Sequence, residues 1–126
     1  MANPNEVKYT KSHEWVEFLS DTTVIVGLTD YAQAMLGDLV FINLPIDGSD
    51  TEIGEAICDV ESVKAVSDVY SPVKGVVCEV NEELVDSPGK INDSPFAAWL
   101  FKVENVSAVE EMMTKEEYEA FCKEEE

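Results

Sequence analysis

Short runs in which apolar and polar residues alternate occupy most of this chain, and turn residues separate one run from the next. Strict alternation places every second side chain on one face, which is typical of strands that bury one face of a sheet. Ser20-Asp21, Pro45 and Asp47-Gly48 fall between such runs, and these residue types favour turns. The pattern therefore predicts a mainly β fold of many short strands. The predicted strands are the runs around residues 14–19, 22–28, 40–44, 56–60, 76–80 and 99–103.

A short helix is predicted after the second strand. Thr29 or Asp30 is placed to cap its N-terminus, and Gln33 lies three residues after Asp30, as in a capping box. Gly37 follows at the position where a glycine commonly ends a helix. The sequence thus predicts a helix near residues 29–36.

The C-terminal segment, residues 107–126, is predicted to be a helical tail. Two capping-box patterns occur in it, Ser107-x-x-Glu110 and Thr114-x-x-Glu117. Apolar residues then recur at i, i+3 and i+4, which is typical of a helix that packs one face on a core. These residues are Tyr118, Phe121 and Cys122.

The chain length of 126 residues predicts a single domain, 1–126, with its core at about 8–104. Strands and turns around 38–62 resemble in layout those around 67–92. Two such halves suggest a small flattened barrel of two sheets. The predicted loops of the second half are Ser87-Pro88-Gly89 and Ser94-Pro95.

The charge of the chain is strongly negative. There are 8 basic and 27 acidic residues, which give a formal net charge of −19. Nucleic-acid binding needs clustered positive charge, and an anionic membrane surface attracts it, so we expect neither partner. No run approaches the roughly 20 apolar residues of a membrane span. Such a field favours a soluble monomer that is steered toward basic surfaces on other proteins.

The cysteines indicate a reducing compartment. Cys58, Cys78 and Cys122 are odd in number and far apart. Cys58 and Cys78 lie in phase with apolar neighbours, so we expect both in the core. Residues 1–6 resemble neither a secretory signal nor a transit peptide. A bacterial cytoplasm is therefore expected, although a mitochondrial matrix protein whose transit peptide has been removed would look the same.

The residues for common catalytic sites are scarce. His13 is the only histidine, which leaves little basis for a zinc site or a Ser-His-Asp arrangement. The glycine-rich loops that bind nucleotide phosphates do not occur. We therefore predict no catalytic residue and no metal site.

Lys64 lies between two alternating runs, at the predicted tip of a β-hairpin. A modifying enzyme could enclose the whole side chain of a lysine in this position. Glu61 and Asp68 flank it, and acidic neighbours stabilise an ammonium, which argues against a Schiff-base lysine. From these residues alone, Lys64 is either a carrier lysine or an ordinary solvated one.

Residues 61–72, from Glu61-Ser62-Val63-Lys64-Ala65 to Tyr70-Ser71-Pro72, resemble the lipoyl-attachment motif of the glycine cleavage system H-protein family. The resemblance extends over almost the whole chain. Ala97-Ala98 stands where the family commonly has glycine, and Cys58 replaces a residue that is usually smaller or differently polar. Neither departure touches the motif. The other blocks that match in the family's order are 8–16, 27–33, 36–45, 80–81, 88–89, 91–92 and 94–95.

The neighbours of the lysine separate this family from others with a lysine on a hairpin. Biotin carriers typically flank their lysine with methionines. Lipoyl domains of 2-oxoacid dehydrogenases usually have an acidic residue just before it. Here the flanking residues are Val63 and Ala65, so both alternatives are weaker.

The resemblance implies a lipoyl/biotinyl-type flattened β-barrel, also called a barrel-sandwich hybrid. It also implies a carrier with no catalysis of its own. Lipoic acid joined to Lys64 by an amide would form a swinging arm. The rest of the attachment motif would then be Glu61, Ser62, Val63, Ala65, Ser67 and Asp68.

The resemblance implies four kinds of partner. Glycine decarboxylase (the P protein) loads the aminomethyl group of glycine onto the arm, and an aminomethyltransferase (the T protein) passes the one-carbon unit on. Dihydrolipoamide dehydrogenase (the L protein) reoxidises the arm, and lipoylating enzymes attach it. Two alternatives stay open: an H-like protein that relays lipoyl groups to other acceptors, and an interaction module whose Lys64 is never modified.

The resemblance also implies that the loaded arm folds into a cleft on the protein's own surface. Glu14 and Asp68 are the candidates to receive its ammonium, with Ser12 and His13 nearby in sequence. Ordinary solvated carboxylates and a structural histidine are the alternatives for these positions.

Overall fold

The computed structural model describes residues 6–125, and within them the chain forms nine strands and four helices. The strands are β1 (Val7–Tyr9), β2 (Glu14–Ser20), β3 (Thr23–Leu28), β4 (Leu39–Asn43), β5 (Asp50–Thr51), β6 (Ala56–Ser62), β7 (Val66–Tyr70), β8 (Val73–Val80) and β9 (Phe101–Val109). The helices are α1 (Asp30–Leu36), α2 (Glu83–Asp86), α3 (Lys90–Asp93) and α4 (Lys115–Glu125).

The strands form two antiparallel sheets. The larger sheet has the order β1-β2-β3-β9-β8-β5, and the smaller has the order β4-β6-β7. One apolar core draws on both sheets, because the alternating strands turn their apolar sides inward. The predicted mainly β fold of two sheets is confirmed. The strand residues of this core that are fully buried are Val16, Val24, Val26, Val60, Val69, Val73, Val77, Phe101 and Val103.

Helix α1 begins and ends as predicted. Of the two candidate caps, Thr29 is the one used, because its side chain accepts a hydrogen bond from the Ala32 amide. Gly37 ends the helix with a φ of 80°, and its amide bonds the Gln33 carbonyl. A left-handed φ of this kind favours glycine. The helix therefore delivers the chain into β4 at a defined corner.

The start of the C-terminal helix was predicted too early. The pattern at Ser107 and Glu110 does not cap a helix, because β9 continues to Val109, which pairs with Val73 of β8. Pairing along a neighbouring strand satisfies the backbone groups that a helix would have used. The second pattern is correct: the Thr114 amide bonds the Glu117 carboxylate, and the Glu117 amide bonds the Thr114 hydroxyl. The β core thus extends beyond residue 104.

The second half of the chain contains two helical turns that the sequence analysis did not predict, while Ser87-Pro88-Gly89 and Ser94-Pro95 are non-helical as predicted. Helices α2 and α3 have four residues each and flank Ser87-Pro88-Gly89. A single turn is too short to show a helical period in sequence. Each turn buries one apolar residue, Leu84 or Ile91.

The predictions for Cys58 and for the C-terminal apolar stripe are confirmed, but the prediction that Cys78 lies in the core is wrong. Cys58 is buried, and burial raises the pKa of its thiol, whereas Cys78 is only half-buried. Tyr118 and Cys122 are buried beside Tyr9 and Trp15, with Phe121 packed against them. No helix within residues 6–125 is long and apolar enough to cross a membrane.

Gly27 allows the buried Trp15 ring to lie across the β2–β3 pair. The two residues are cross-strand partners, and a Cβ on Gly27 would lie 2.5 Å from ring atoms of Trp15. We expect Gly27→Ala to lower the free energy of unfolding by about 1–3 kcal/mol, as in other overpacked cores. Urea unfolding measures the change. In Gly89→Ala, the added Cβ meets no atom within 4 Å, so this control should unfold like the parent. Equal loss in both variants would contradict the prediction.

Candidate functional site

Lys64 lies at the tip of the hairpin formed by β6 and β7. The last pair of the ladder is Glu61 with Val66, and the Ser62 amide bonds the Ala65 carbonyl at 2.8 Å. Lys64 is exposed. The predicted hairpin is therefore present, and it holds the lysine clear of the core.

The side chain of Ser62 fixes the backbone of this turn. Its hydroxyl accepts hydrogen bonds from the amides of Lys64 (3.1 Å) and Ala65 (3.0 Å). It also donates to the Ala65 carbonyl at 3.2 Å. A serine at this position thus satisfies backbone groups that the strand ladder leaves open.

The corner between α1 and β4 lies against the lysine turn. The Val63 amide donates to the Asp38 carbonyl at 3.1 Å. Lys64 Nζ lies 3.5 Å from the Met35 carbonyl oxygen, and a Cβ on Gly37 would lie 2.9 Å from Lys64 Cε. The aliphatic stem of the lysine therefore rests on a glycine backbone.

The other motif residues lie around the tip. Val63 and Ala65 are exposed in the turn, and Ser67 is half-buried on β7. Asp68 is exposed and lies directly opposite Asp59 on β6. Like charges facing each other across a ladder destabilise a sheet. The region around Lys64 therefore combines acidic and exposed apolar groups.

A buried carboxyl group, that of Glu14, lies where the two sheets meet. Only 1% of the residue is exposed. One carboxyl oxygen accepts hydrogen bonds from the hydroxyls of Thr10 and Ser12, both at 2.6 Å. The other accepts from the Tyr70 amide of β7 at 3.3 Å. Glu14 thus links the large sheet to the small one.

Burial controls the protonation of Glu14. Loss of solvent raises the pKa of its carboxyl to about 7, although the hydrogen bonds from Ser12, Thr10 and the Tyr70 amide act to lower it. The nearby charge of Glu110 adds to the rise. A carboxyl with this pKa exchanges its proton near neutral pH, which is common at functional sites.

Strand β7 runs from the Lys64 turn to Glu14. Its five residues span about 13 Å at the usual rise per residue. Among the described strands it pairs only with β6. The Tyr70 amide points away from β6 to Glu14, so alternation directs the Asp68 amide to the same open edge.

The structure brings only part of the predicted cleft set together. Ser12 contacts Glu14 directly. The His13 ring instead contacts α4, with Nδ1 2.8 Å from the Tyr118 hydroxyl. Asp68 lies two residues from Tyr70, on the outer face of β7. Sequence reasoning missed Thr10, whose only signal was its position four residues before Glu14.

Within residues 6–125, no group of three or more His, Cys, Asp or Glu side chains is placed to hold a metal ion.

Comparisons with known proteins agree with this geometry. The family model described as glycine cleavage H-protein matches residues 7–125. A glycine cleavage system H protein of Lachnoclostridium phytofermentans is 61% identical over 93% of this chain and 92% of its own length. One of Halalkalibacterium halodurans is 50% identical over 97% of each.

A solved structure gives the same result. The crystal structure of a glycine cleavage system H protein from Mycobacterium marinum matches with a TM-score of 0.86 and 40% identity, covering 94% of this chain and 97% of that one. This chain and that H protein therefore share the same fold over nearly their whole length. Because the family model and these relatives match nearly the whole length, the chain belongs to the glycine cleavage H-protein family.

Proposed function

We propose that Lys64 is the residue that carries the lipoyl group. The H proteins are non-catalytic lipoyl carriers of the glycine cleavage system, and this chain has the role of its family. The observation that supports Lys64 is its place at the tip of the β6–β7 hairpin, exposed and held by the Ser62 hydroxyl. When bound, a lipoyl group supplies a dithiolane that accepts a one-carbon cargo and electrons.

The residues around Lys64 fit such a group. The turn presents an amine that a modifying enzyme can reach, and the open edge of β7 begins beside it. That edge offers the outward amide of Asp68 to a polar group of a long side chain. It ends at the buried Glu14 carboxyl, which bonds the Tyr70 amide. The protein therefore has both an attachment point and a place for the far end of an arm.

We assign the binding of a cationic cargo group to Glu14. Its carboxyl is buried and holds hydrogen bonds from Thr10 and Ser12, so it is oriented before any cargo arrives. An ammonium placed beside it would stabilise the ionised form and favour proton release near neutral pH. Exclusion of water at this depth would slow the loss of the cargo. Asp68 supplies a second negative charge farther along β7.

His13 has a supporting role in this proposal. Its amide bonds the Thr10 carbonyl and its carbonyl accepts from the Thr29 amide. Its φ of 70° turns the chain between Thr10 and Glu14. Through this turn His13 holds the Ser12 hydroxyl on the Glu14 carboxyl.

The proposed partners follow from the family. They are glycine decarboxylase, the aminomethyltransferase, dihydrolipoamide dehydrogenase and a lipoylating enzyme. A net charge of −19 favours encounters with basic patches on these proteins. Because the similar proteins come from bacteria and archaea, we also propose a cytoplasmic location.

Lys64→Arg tests the attachment site. We expect a lipoate–protein ligase to add one lipoyl group to the parent protein and none to this variant, because arginine keeps the charge but has no acylatable amine. The intact mass of each protein measures the addition. Lys90→Arg is the matched control and should be modified like the parent. Addition to the Lys64→Arg protein would contradict the proposal. Glycine–bicarbonate exchange with the modified protein then distinguishes glycine cleavage from lipoyl relay.

Glu14→Gln tests the cargo pocket. We expect the loaded protein to lose its amino cargo about tenfold faster in this variant, because a charge-assisted hydrogen bond is removed. The release of ammonia and formaldehyde over time measures the rate. Asp68→Asn should have a smaller effect. Glu17→Gln, on the same strand, is the control and should match the parent. An unchanged rate in both Glu14→Gln and Asp68→Asn would contradict the assignment.

The raised pKa of Glu14 also predicts a pH dependence of stability. The folded chain binds this proton more tightly, since the pKa is 4.5 in the reference state and about 7 when folded. The resulting stabilisation is complete below pH about 4.5 and is lost as the pH rises to about 7. Across that window the unmodified parent should lose up to about 3 kcal/mol more than Glu14→Gln. Urea unfolding at several pH values measures both, and parallel curves would contradict the prediction.

A further inference from the structure

The corner between α1 and β4, residues 35–38, forms the seat of the Lys64 side chain. It contacts the lysine turn at three points: the Asp38 carbonyl, the Gly37 backbone and the Met35 carbonyl. The corner has no side chain under Lys64 Cε, because Gly37 lies there. Any movement of this corner would therefore change the position of the lysine.

Asn92, on the helical turn α3, holds the corner in place. Its Oδ1 accepts a hydrogen bond from the Leu39 amide at 2.9 Å. Its Nδ2 donates to the Gly37 carbonyl at 2.8 Å and to Gln33 Oε1 at 3.0 Å. One side chain thus connects the end of α1, the corner itself and the start of β4.

The chemistry of the three contacts requires an amide side chain. The first residue of β4, Leu39, presents an N–H and the corner presents a carbonyl at Gly37, so their shared partner must accept and donate at once. These two backbone groups also fix which way the Asn92 amide faces. Aspartate at position 92 would set an acceptor against the Gly37 carbonyl, and alanine would leave both backbone groups without this partner.

We propose that Asn92 is a positioning residue for the modification of Lys64, acting through the seat at 35–38. This inference rests on the proposed function. A lysine stem laid along Gly37 samples fewer conformations before it meets the modifying enzyme, so less ordering is needed on binding. Without the Asn92 side chain the corner becomes more mobile, and the Lys64 side chain that rests on it samples more conformations.

The modification step itself is supplied by the enzyme. A lipoate–protein ligase activates lipoate with ATP as an acyl adenylate. The Nζ amine attacks the acyl carbon, the N–C amide bond forms and the C–O bond to the adenylate breaks. AMP leaves with the electron pair, and the amine proton goes to solvent. Asn92 takes no part in these bonds and sets only where the amine stands.

The test compares Asn92→Ala with Asn81→Ala as substrates of a lipoate–protein ligase. Asn81 is a matched control, because its half-buried amide donates one hydrogen bond, to the Trp99 carbonyl, and does not contact the seat. We expect Asn92→Ala to raise the KM for the unmodified protein about five- to tenfold with kcat little changed, the effect of losing about one ordering hydrogen bond. Asn81→Ala should leave the KM unchanged from that of the parent.

Hydrogen exchange of the Val63 amide provides an independent readout. This amide bonds the Asp38 carbonyl of the seat, so it should exchange faster in Asn92→Ala than in Asn81→Ala at equal stability. Equal KM and equal Val63 exchange in the two variants would overturn the proposal and make Asn92 a purely structural residue.

A milder variant keeps the proposal testable if Asn92→Ala does not fold. Gln33→Ala removes only one of the three contacts, and alanine is well tolerated in a helix. It should raise KM about twofold, and an unchanged KM would then overturn the inference. A different result would contradict the proposed function itself: either the parent protein is not modified, or the Lys64→Arg variant is modified.

Discussion

One hydrogen bond between the sheets, from the Tyr70 amide to the Glu14 carboxyl, sets the geometry of the whole site. It joins β7 of the small sheet to β2 of the large one, although each strand belongs to a separate ladder. The lysine turn at the other end of β7 is thereby fixed at a distance of one short strand from a buried carboxyl. This relation suits the arm that we propose, which is attached at an exposed lysine and ends at a sheltered carboxyl.

Side chains far apart in sequence hold both ends of that strand. Thr10 and Ser12 orient the carboxyl at one end. Asn92 connects α1 to β4 beside the other end, where Ser62 shapes the turn. The contacts of Thr10, Ser12 and Asn92 are partly or fully buried, where a lost hydrogen bond is costly, whereas those of Ser62 are exposed. The small apolar core fixes where the sheets lie, and this polar set fixes the site between them.

Some of these features could be predicted from the sequence and others could not, for physical reasons. Alternation predicted the strands, and the Lys64 string predicted the hairpin, because both are local patterns. The pattern at Ser107 misled, since it has the form of a helix cap but lies in a segment that pairs with β8. The contact of Thr10 with Glu14 is local but depends on the left-handed φ of His13 between them, and the contact of Asn92 with the corner depends on tertiary geometry. No spacing rule relates Asn92 to Gly37, 55 residues earlier.

The open edge of β7 has a consequence for how copies of the protein meet. An unpaired strand edge is a template on which a second chain can add a strand, and natural proteins guard such edges with charge. Asp68 lies exposed on this strand and Asp59 faces it from β6. Two copies that approached edge to edge would bring these carboxylates together, each on a chain of net charge −19. The repulsion that weakens the hairpin locally thus opposes edge-to-edge pairing and leaves the strand open to the arm that we propose for Lys64.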